Sequence, residues 1–274
     1  MTQEEFELFR DLVYQWTGVA IADARVSMLA SRLGSRMRAV GETDYQAYYA
    51  LVTSDARERA LFVDKVTTHE TSFFRTAGVW EFIEHQLLPE LRAQQSPLRA
   101  WSAAASTGEE SYSLAMLATE YSLKAPGFSF SIDASDISEQ VIERCRGARY
   151  QGRNIRRFEQ SRPEYCKKYM EPDQDQFGVS RAISSRVNFF THNLLQDPKS
   201  HAKYNLVMLR NVLIYFTPED QCKVVANVRR AMTDDGIMII GESETIPHEA
   251  LGFGDVAPFV YRVGGTPQAQ YAHG

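Results

Sequence analysis

The chain has 274 residues, enough for one large or two smaller domains, and its 44 % hydrophobic and 24 % charged content fits an ordinary soluble protein. A net charge of −5 argues against non-specific nucleic-acid binding, and every apolar run is too short to span a membrane. Cys145, Cys166 and Cys222 form no CxxC pair, the histidines form no HxxxH pair, and MTQEEFELFR lacks the basic start of a secretion signal. The expectation is a reduced, cytoplasmic protein without disulfides or a metal site.

Residues 1–66 read as successive helices. Phe6, Phe9, Leu12, Val13 and Trp16 recur at helical spacing, and Gly18 is placed to end that helix. Tyr45, Tyr48, Tyr49, Leu51 and Val52 mark another, started by Thr43 or Asp44, and residues 57–66 a third. The stretch from Arg25 to Arg38 holds no acidic residue. Val26, Leu29, Leu33 and Met37 share one helical side there, and Arg25, Arg32 and Arg36 line its edge. That row is either a solvated face or a surface that meets an acidic partner.

TTHETSFFR at 67–75 closes this region, with Phe73 and Phe74 as buried anchors and Arg75 at a boundary between packed units. A helix over 79–91 runs past Pro89, and from there strands and helices alternate, the pattern of a largely parallel sheet covered on both faces. WSAAASTGEESYSLA at 101–115 is the sharpest stretch. A strand ends near Ala103, small residues turn, and Ser106-x-x-Glu109 and Thr107-x-x-Glu110 are overlapping capping boxes that predict a helix start at Ser106 or Thr107. Strand, small-residue loop and helix N-terminus are how α/β folds approach nucleotide-like cofactors. Glutamates at that positive end disfavour phosphate and favour a neutral or cationic ligand such as S-adenosylmethionine, although ordinary capping explains them equally well.

A second strand over 128–134 leads to Asp136, placed to accept from ribose hydroxyls. Asp133 is a second carboxylate, and capping by Asp136 or Ser138 is the alternative role. From 150 to 187 the rhythm breaks into two basic pieces, a polar turn at Pro172 to Asp175 and short apolar runs. These read as a small ordered antiparallel excursion rather than a loose insertion. A strand over 187–190 follows. Tyr204 to Leu209 is near-continuously apolar, as a central parallel strand should be, and runs into Arg210, Asn211 and, further on, Tyr215. At the carboxyl end of such a strand these residues share a crevice with Ser106 to Glu110. Residues 218–232 read as helix, Asp234-Asp235-Gly236 as a turn, 237–241 and 259–263 as strands, and 264–274 as a tail. A dinucleotide fingerprint is missing, since the loop at 102–108 has only Gly108.

TTHETSFFR at 67–75, WSAAASTGEESYSLA at 101–115, ASDIS at 134–138, NLL at 193–195 and RNVLIYF at 210–216 occur in this order. Together they closely resemble the motifs of the CheR-type chemotaxis receptor methyltransferases, and the likeness covers nearly the whole chain. The resemblance implies an α/β fold, a Rossmann-like S-adenosylmethionine-dependent methyltransferase domain over 67–274 with a small antiparallel β-subdomain insertion at about 151–187. An all-α N-terminal domain over 1–66 precedes it. The implied activity is protein-glutamate O-methylation, using S-adenosylmethionine, leaving S-adenosylhomocysteine and needing no metal. Its implied partners are the cytoplasmic helices of chemoreceptors (methyl-accepting chemotaxis proteins), with no nucleic acid and no membrane insertion. A non-catalytic cofactor-binding module and a methyltransferase of another receptor-coupled pathway are the alternatives.

Carried over by motif, the cofactor contacts are His69, Thr71, Arg75, Glu110, Asp136, Asn193, Leu194, Arg210 and Asn211. His69 stands where the family commonly has Asn, which brings a titratable ring into that position. Arg25, Arg32 and Arg36 become candidate receptor contacts, and the β-subdomain a candidate seat for a receptor C-terminal tethering peptide. Arg75 and Tyr215 are the catalytic candidates, orienting the incoming carboxylate or the methionine end of the cofactor. A glutamate carboxyl of pKa about 4.3 is ionised at neutral pH, so the reaction requires alignment and exclusion of water rather than a general base.

Overall fold

Residues 1–198 and 203–265 are described by a computed structural model; the expected tail from 266 onward lies outside the described residues. Four helices come first: α1 (Gln3–Thr17), α2 (Val26–Val40), α3 (Tyr45–Ser54) and α4 (Ala56–Val66). Thr2 and Glu5 form a reciprocal capping box on α1, and Gly18, left-handed at φ 74°, ends it. Asp44 and Asp55 cap α3 and α4 through their carboxylates. The expected apolar positions close a core of their own, in which Phe9 meets Tyr45, Tyr48, Tyr49 and Phe62 at ring-centroid distances of 5.7–6.1 Å.

Next, α5 (Ala77–Phe82) and α6 (Leu88–Ala93) are one helical run joined by a π turn, Ile83–Leu87. Pro89 lacks an N–H and crowds the preceding turn, and widening that turn lets the run continue through it. The α/β alternation then follows as β1 (Leu98–Ser102), α7 (Glu109–Lys124), β2 (Phe130–Asp136) and α8 (Glu139–Gly147). After these come β3 (Arg149–Tyr150), α9 (Arg153–Ser161), α10 (Pro163–Tyr169), β4 (Met170–Asp173), β5 (Gln176–Val179) and α11 (Arg181–Ser184). The chain continues through β6 (Val187–Thr191), β7 (Tyr204–Leu209), α12 (Pro218–Arg230), β8 (Met232–Ile240), β9 (Phe253–Ala257) and β10 (Val260–Val263). No helix among the described residues is long and apolar enough to cross a membrane.

Among the described residues, seven strands form one sheet in the order β6-β2-β1-β7-β8-β10-β9, parallel as far as β8 and antiparallel in the β9–β10 hairpin. The order reverses between β1 and β7, and open α/β sheets bind ligands at such a switch point. Register sets the strand ends level: Ser102 lies opposite Ala134 and Met208, Asp136 opposite Thr191, and Leu209 opposite Ile240. Each strand therefore delivers its next residues to one edge.

Several expectations are corrected. β2 begins and ends two residues later than read, so Asp136 is its last residue. Asp234 to Gly236 is part of β8, which bulges against β7 between Tyr204 and Leu206 instead of turning, and α12 stops at Arg230. β9 was not anticipated. The 150–187 region does hold an antiparallel sheet, β3-β5-β4, but its two basic pieces are the helices α9 and α10, and 181–184 is helical too. Their helical period was masked by charge: in α9 only Ile155 and Phe158 turn inward, and Phe158 stacks on Phe73 at 4.5 Å and Phe74 at 5.6 Å.

Candidate active site

The loop after β1 is pinned before it reaches α7. The Ala103 N–H donates to the Met208 carbonyl at 2.9 Å and the Ala105 N–H to the Ser135 carbonyl at 2.8 Å. Ser106 then adopts a left-handed φ of 50°, which turns its N–H onto Asp136 Oδ2 at 3.0 Å. This bend displaces the helix start. α7 begins at Glu109 after Gly108, at φ 95°, so neither expected capping box forms. Gly108 has no space for a side chain, because a Cβ there would sit 2.9 Å from the Tyr150 hydroxyl. The two glutamates part company. Glu109 accepts from Thr107 Oγ1 at 2.6 Å and Asn154 Nδ2 at 3.0 Å, whereas Glu110 accepts from Ser102 Oγ at 2.8 Å and pairs with Arg210 at 2.9 Å. Burial pushes the Glu110 carboxyl above its usual range, and the Arg210 guanidinium opposes that shift.

Asp136 also accepts from the Ser138 N–H, through Oδ1 at 3.0 Å, while Ser138 Oγ caps α8. Burial raises the Asp136 carboxyl pKa against these backbone donors and the nearby His69. Asp133, the rival carboxylate, is used elsewhere, accepting from Tyr204 and Asn188 at 2.8 Å each.

The segment from Val66 to Arg75 passes over the strand ends as a strap. His69 Nε2 lies 2.9 Å from Thr67 Oγ1 and 3.7 Å from Asp64 Oδ1, which anchors its ring on the end of α4. The Thr71 carbonyl accepts from Asn154 Nδ2 at 3.1 Å, and the Phe74 N–H donates to Ser113 Oγ at 3.0 Å. The Arg75 carbonyl is held by Trp80 Nε1 at 2.9 Å and Arg210 Nη2 at 3.2 Å. Its half-buried guanidinium has no hydrogen bond or ion pair among the described residues.

Arg210 is the reverse case. Its guanidinium reaches Glu110, the Arg75 carbonyl and Thr76 Oγ1, the last at 2.8 Å, and only Nε is left without a partner. Asn193 donates to the Trp16 carbonyl at 3.2 Å, and the Tyr215 carbonyl accepts from the Ala20 N–H at 2.8 Å. The helical domain is thereby fastened to two of the site loops.

These residues enclose a cavity of about 250 Å³. His69, Thr71, Arg75, Glu110, Asp136, Asn193, Leu194, Arg210, Asn211 and Tyr215 all line it, and the helical domain closes one side with Thr17 and Val19. The arginine row, Arg25 just before α2 and Arg32 and Arg36 on it, does not line the cavity. Arg36 has an acidic partner after all, gripping Glu58 at 2.9 and 2.6 Å, and Tyr48 donates to the same carboxylate at 2.9 Å. Arg32 donates to the Val66 carbonyl at 2.5 Å and to Thr68 Oγ1 at 2.9 Å, while Arg25 is exposed. The sequence reading missed Glu244. This buried carboxylate accepts from the N–H groups of Gly241 at 2.6 Å, Leu213 at 2.7 Å and Asn211 at 2.8 Å. Its one sequence signal is its place three residues beyond the end of a buried strand.

Two family models match the chain in tandem: the CheR methyltransferase all-alpha domain over residues 4–67 and the CheR methyltransferase SAM-binding domain over 69–257. Similar relatives include the chemotaxis protein methyltransferase of Vibrio anguillarum, 30 % identical over 251 residues and 90 % of each chain. That of Escherichia coli K12 is 31 % identical over 252 residues, covering 90 % of this chain and 86 % of the relative. Chemotaxis protein methyltransferase 2 of Pseudomonas aeruginosa is 31 % identical over 265 residues, covering 95 % and 93 %.

Proposed function

The chain belongs to the CheR methyltransferase family and is an S-adenosylmethionine-dependent methyltransferase, and from that premise we propose that it methylates glutamate carboxylates on the cytoplasmic helices of a chemoreceptor. The observation that carries this reading is the convergence of the nine motif-derived cofactor residues and Tyr215 on one cavity at the switch point of the sheet.

The residues present suit the cofactor. Ala103 and Ala104 leave the backbone approachable, Asp136 offers a carboxylate at the end of β2, and the buried Ser106 Oγ and Arg210 Nε have no partners among the described residues. Asp136 would accept from the ribose, Glu110 with Arg210 and Asn211 would hold the amino-acid end, and Asn193 and Leu194 would border the base. When bound, S-adenosylmethionine supplies a methyl group activated by its sulfonium.

The rest is alignment by the protein. A substrate glutamate, with a pKa of about 4.3, enters already charged, so no proton has to be removed and no base is required. Arg75 is the free cation of the cavity wall among the described residues, and its guanidinium steadies the incoming carboxylate. Tyr215 orients the same group from the opposite loop. The strap and the helical domain keep water away from the reacting atoms, which strengthens each of these contacts.

Arg25, with Arg32 and Arg36 behind it, faces the receptor in this proposal. The small sheet takes a receptor tail peptide along the open edge of β4. The protein works in the cytoplasm, where such receptor helices lie.

Calorimetric titration with S-adenosylmethionine and S-adenosylhomocysteine tests the site. Binding of both, lost in Asp136→Ala, is the expected result. Wild-type protein that binds neither would remove the proposal.

A further inference from the structure

We infer that Glu244 is a positioning residue of this site, holding the Arg210–Tyr215 loop in the shape that presents Arg210, Asn211 and Tyr215 to the cavity. The inference rests on the reading of that cavity as the S-adenosylmethionine site.

Glu244 is 3 % exposed, and among the described residues no cation pairs with it. Backbone N–H groups take the cation's place. Oε2 accepts from Asn211 at 2.8 Å and Gly241 at 2.6 Å; Oε1 accepts from Leu213 at 2.7 Å and, at a longer 3.4 Å, from Ile214. Successive N–H groups converging in this way make an anion-binding concavity, here filled by the protein's own carboxylate. The three loop donors belong to one stretch of four residues, so a single side chain fixes the whole turn.

Two further features show how closely the turn is built around that carboxylate. Asn211 sits at φ 57°, a conformation that non-glycine residues rarely adopt, and its N–H is one of the four donors. Gly241 also has no room for a side chain. A Cβ there would lie 2.6 Å from Asn211 Nδ2, 2.7 Å from Glu244 Oε2 and 2.8 Å from the Asn211 nitrogen. The bare backbone at the end of β8 is what lets the carboxylate lie against Asn211.

A carboxylate suits the position and an amide does not. Each oxygen faces two N–H donors, so glutamine, although isosteric, turns its NH₂ group onto one donor pair. Aspartate keeps both acceptors but is one methylene short. The test compares full-length wild type, Glu244→Gln and Glu244→Asp by S-adenosylhomocysteine calorimetry, amide hydrogen exchange and methylation of a chemoreceptor cytoplasmic fragment.

Glu244→Gln is expected to weaken S-adenosylhomocysteine binding at least about tenfold, or about 1.4 kcal/mol. It should speed exchange at Asn211, Leu213 and Gly241 while β1 and β2 keep their protection. The kcat on the receptor fragment should fall while its KM changes less than about twofold, because Tyr215 aligns the reacting carboxylate but does not carry the docking of the receptor helices. Glu244→Asp should fall between the two, and it carries the test if the glutamine variant does not fold. Wild-type affinity in the variant that folds, or exchange accelerated uniformly through the sheet, would overturn the inference. Wild-type protein that fails to bind S-adenosylhomocysteine would remove the parent reading and this one together, and that result is distinguishable from the others.

Discussion

Glu109 is buried beside the site and pairs with no cation among the described residues; its carboxylate relies on Thr107, its own backbone N–H and Asn154. Burial therefore raises its pKa above the ordinary 4.5, against those hydrogen bonds. The folded state then holds the proton more tightly than the unfolded chain. Stability from this group consequently falls as pH rises from 4.5 through the raised value. Glu109→Gln removes that loss. Thermal melts should place the variant above wild type at neutral pH, by about 2–4 °C for each kcal/mol regained, with the gap closing as pH approaches 4.5. A gap of constant size would mean that Glu109 is not the titrating group. The capping pattern could not separate Glu109 from Glu110, although the family motif singles out Glu110. Both fit a capping pattern, and only the left-handed turn at Ser106 sends one toward Arg210 and the other toward Asn154. The motif residues were legible because their order and types repeat a known arrangement. Glu244 was not, because a carboxylate that binds only backbone leaves no partner side chain to find.

At the level of helices, α2 does two jobs that its composition does not separate. Arg36 is tied to Glu58, and Tyr48 joins the same carboxylate, so the row read as free of acidic partners is partly internal. Glu58 lies 22 positions away on α4, too far along the chain for spacing to announce it. Removing Arg36 takes a donor from the buried Glu58 carboxylate, at a cost of about 1–3 kcal/mol for a part-buried pair, whereas an exposed surface change stays within about 0.5 kcal/mol. Arg36→Ala should therefore lower the melting temperature together with any receptor defect, and Arg25→Ala should alter receptor binding with its melt unchanged. Chemical denaturation of both variants checks this, and equal stability of the two would contradict it. Helices with a full apolar face, such as α1 and α3, were readable from period alone. α9 shows only two inward residues, too few to set a period, and the β9 edge strand lacks the long apolar run that marked β7.

The whole molecule closes its cavity with two domains, and the junction is specific. Tyr14 donates to Asp220 at 2.6 Å, Asn193 reaches the Trp16 carbonyl, and Gly18 packs directly on the methyltransferase domain. A Cβ on Gly18 would lie 2.3 Å from Leu195 Cδ1 and 2.9 Å from Phe216, at a φ of 74°. Gly41 has a similar φ of 77°, but a Cβ there would meet nothing within 4 Å among the described residues. Gly41→Ala should therefore show only the backbone cost, about 1 kcal/mol, while Gly18→Ala adds overpacking of about 1–3 kcal/mol and weakens S-adenosylhomocysteine binding. Equal affinity in both variants would mean that the helical domain does not shape the cofactor site. Alternating elements made the α/β class legible, but strand order was not. The reversal between β1 and β7 depends on pairings between residues about a hundred positions apart, such as Ala100 with Leu206.

Methyl transfer to a glutamate carboxylate aligned by Arg75 without a base can be followed by incubating the protein with methyl-labelled S-adenosylmethionine and a chemoreceptor cytoplasmic fragment, then mapping the labelled peptides. Label is expected on glutamate side chains as an ester that alkali releases as methanol. The rate should be flat from about pH 6 to about pH 8 and fall by about 100-fold or more in Arg75→Ala. Label on nitrogen, no transfer by a protein that binds the cofactor, or a rate rising through neutrality as a base loses its proton would rule out this mechanism.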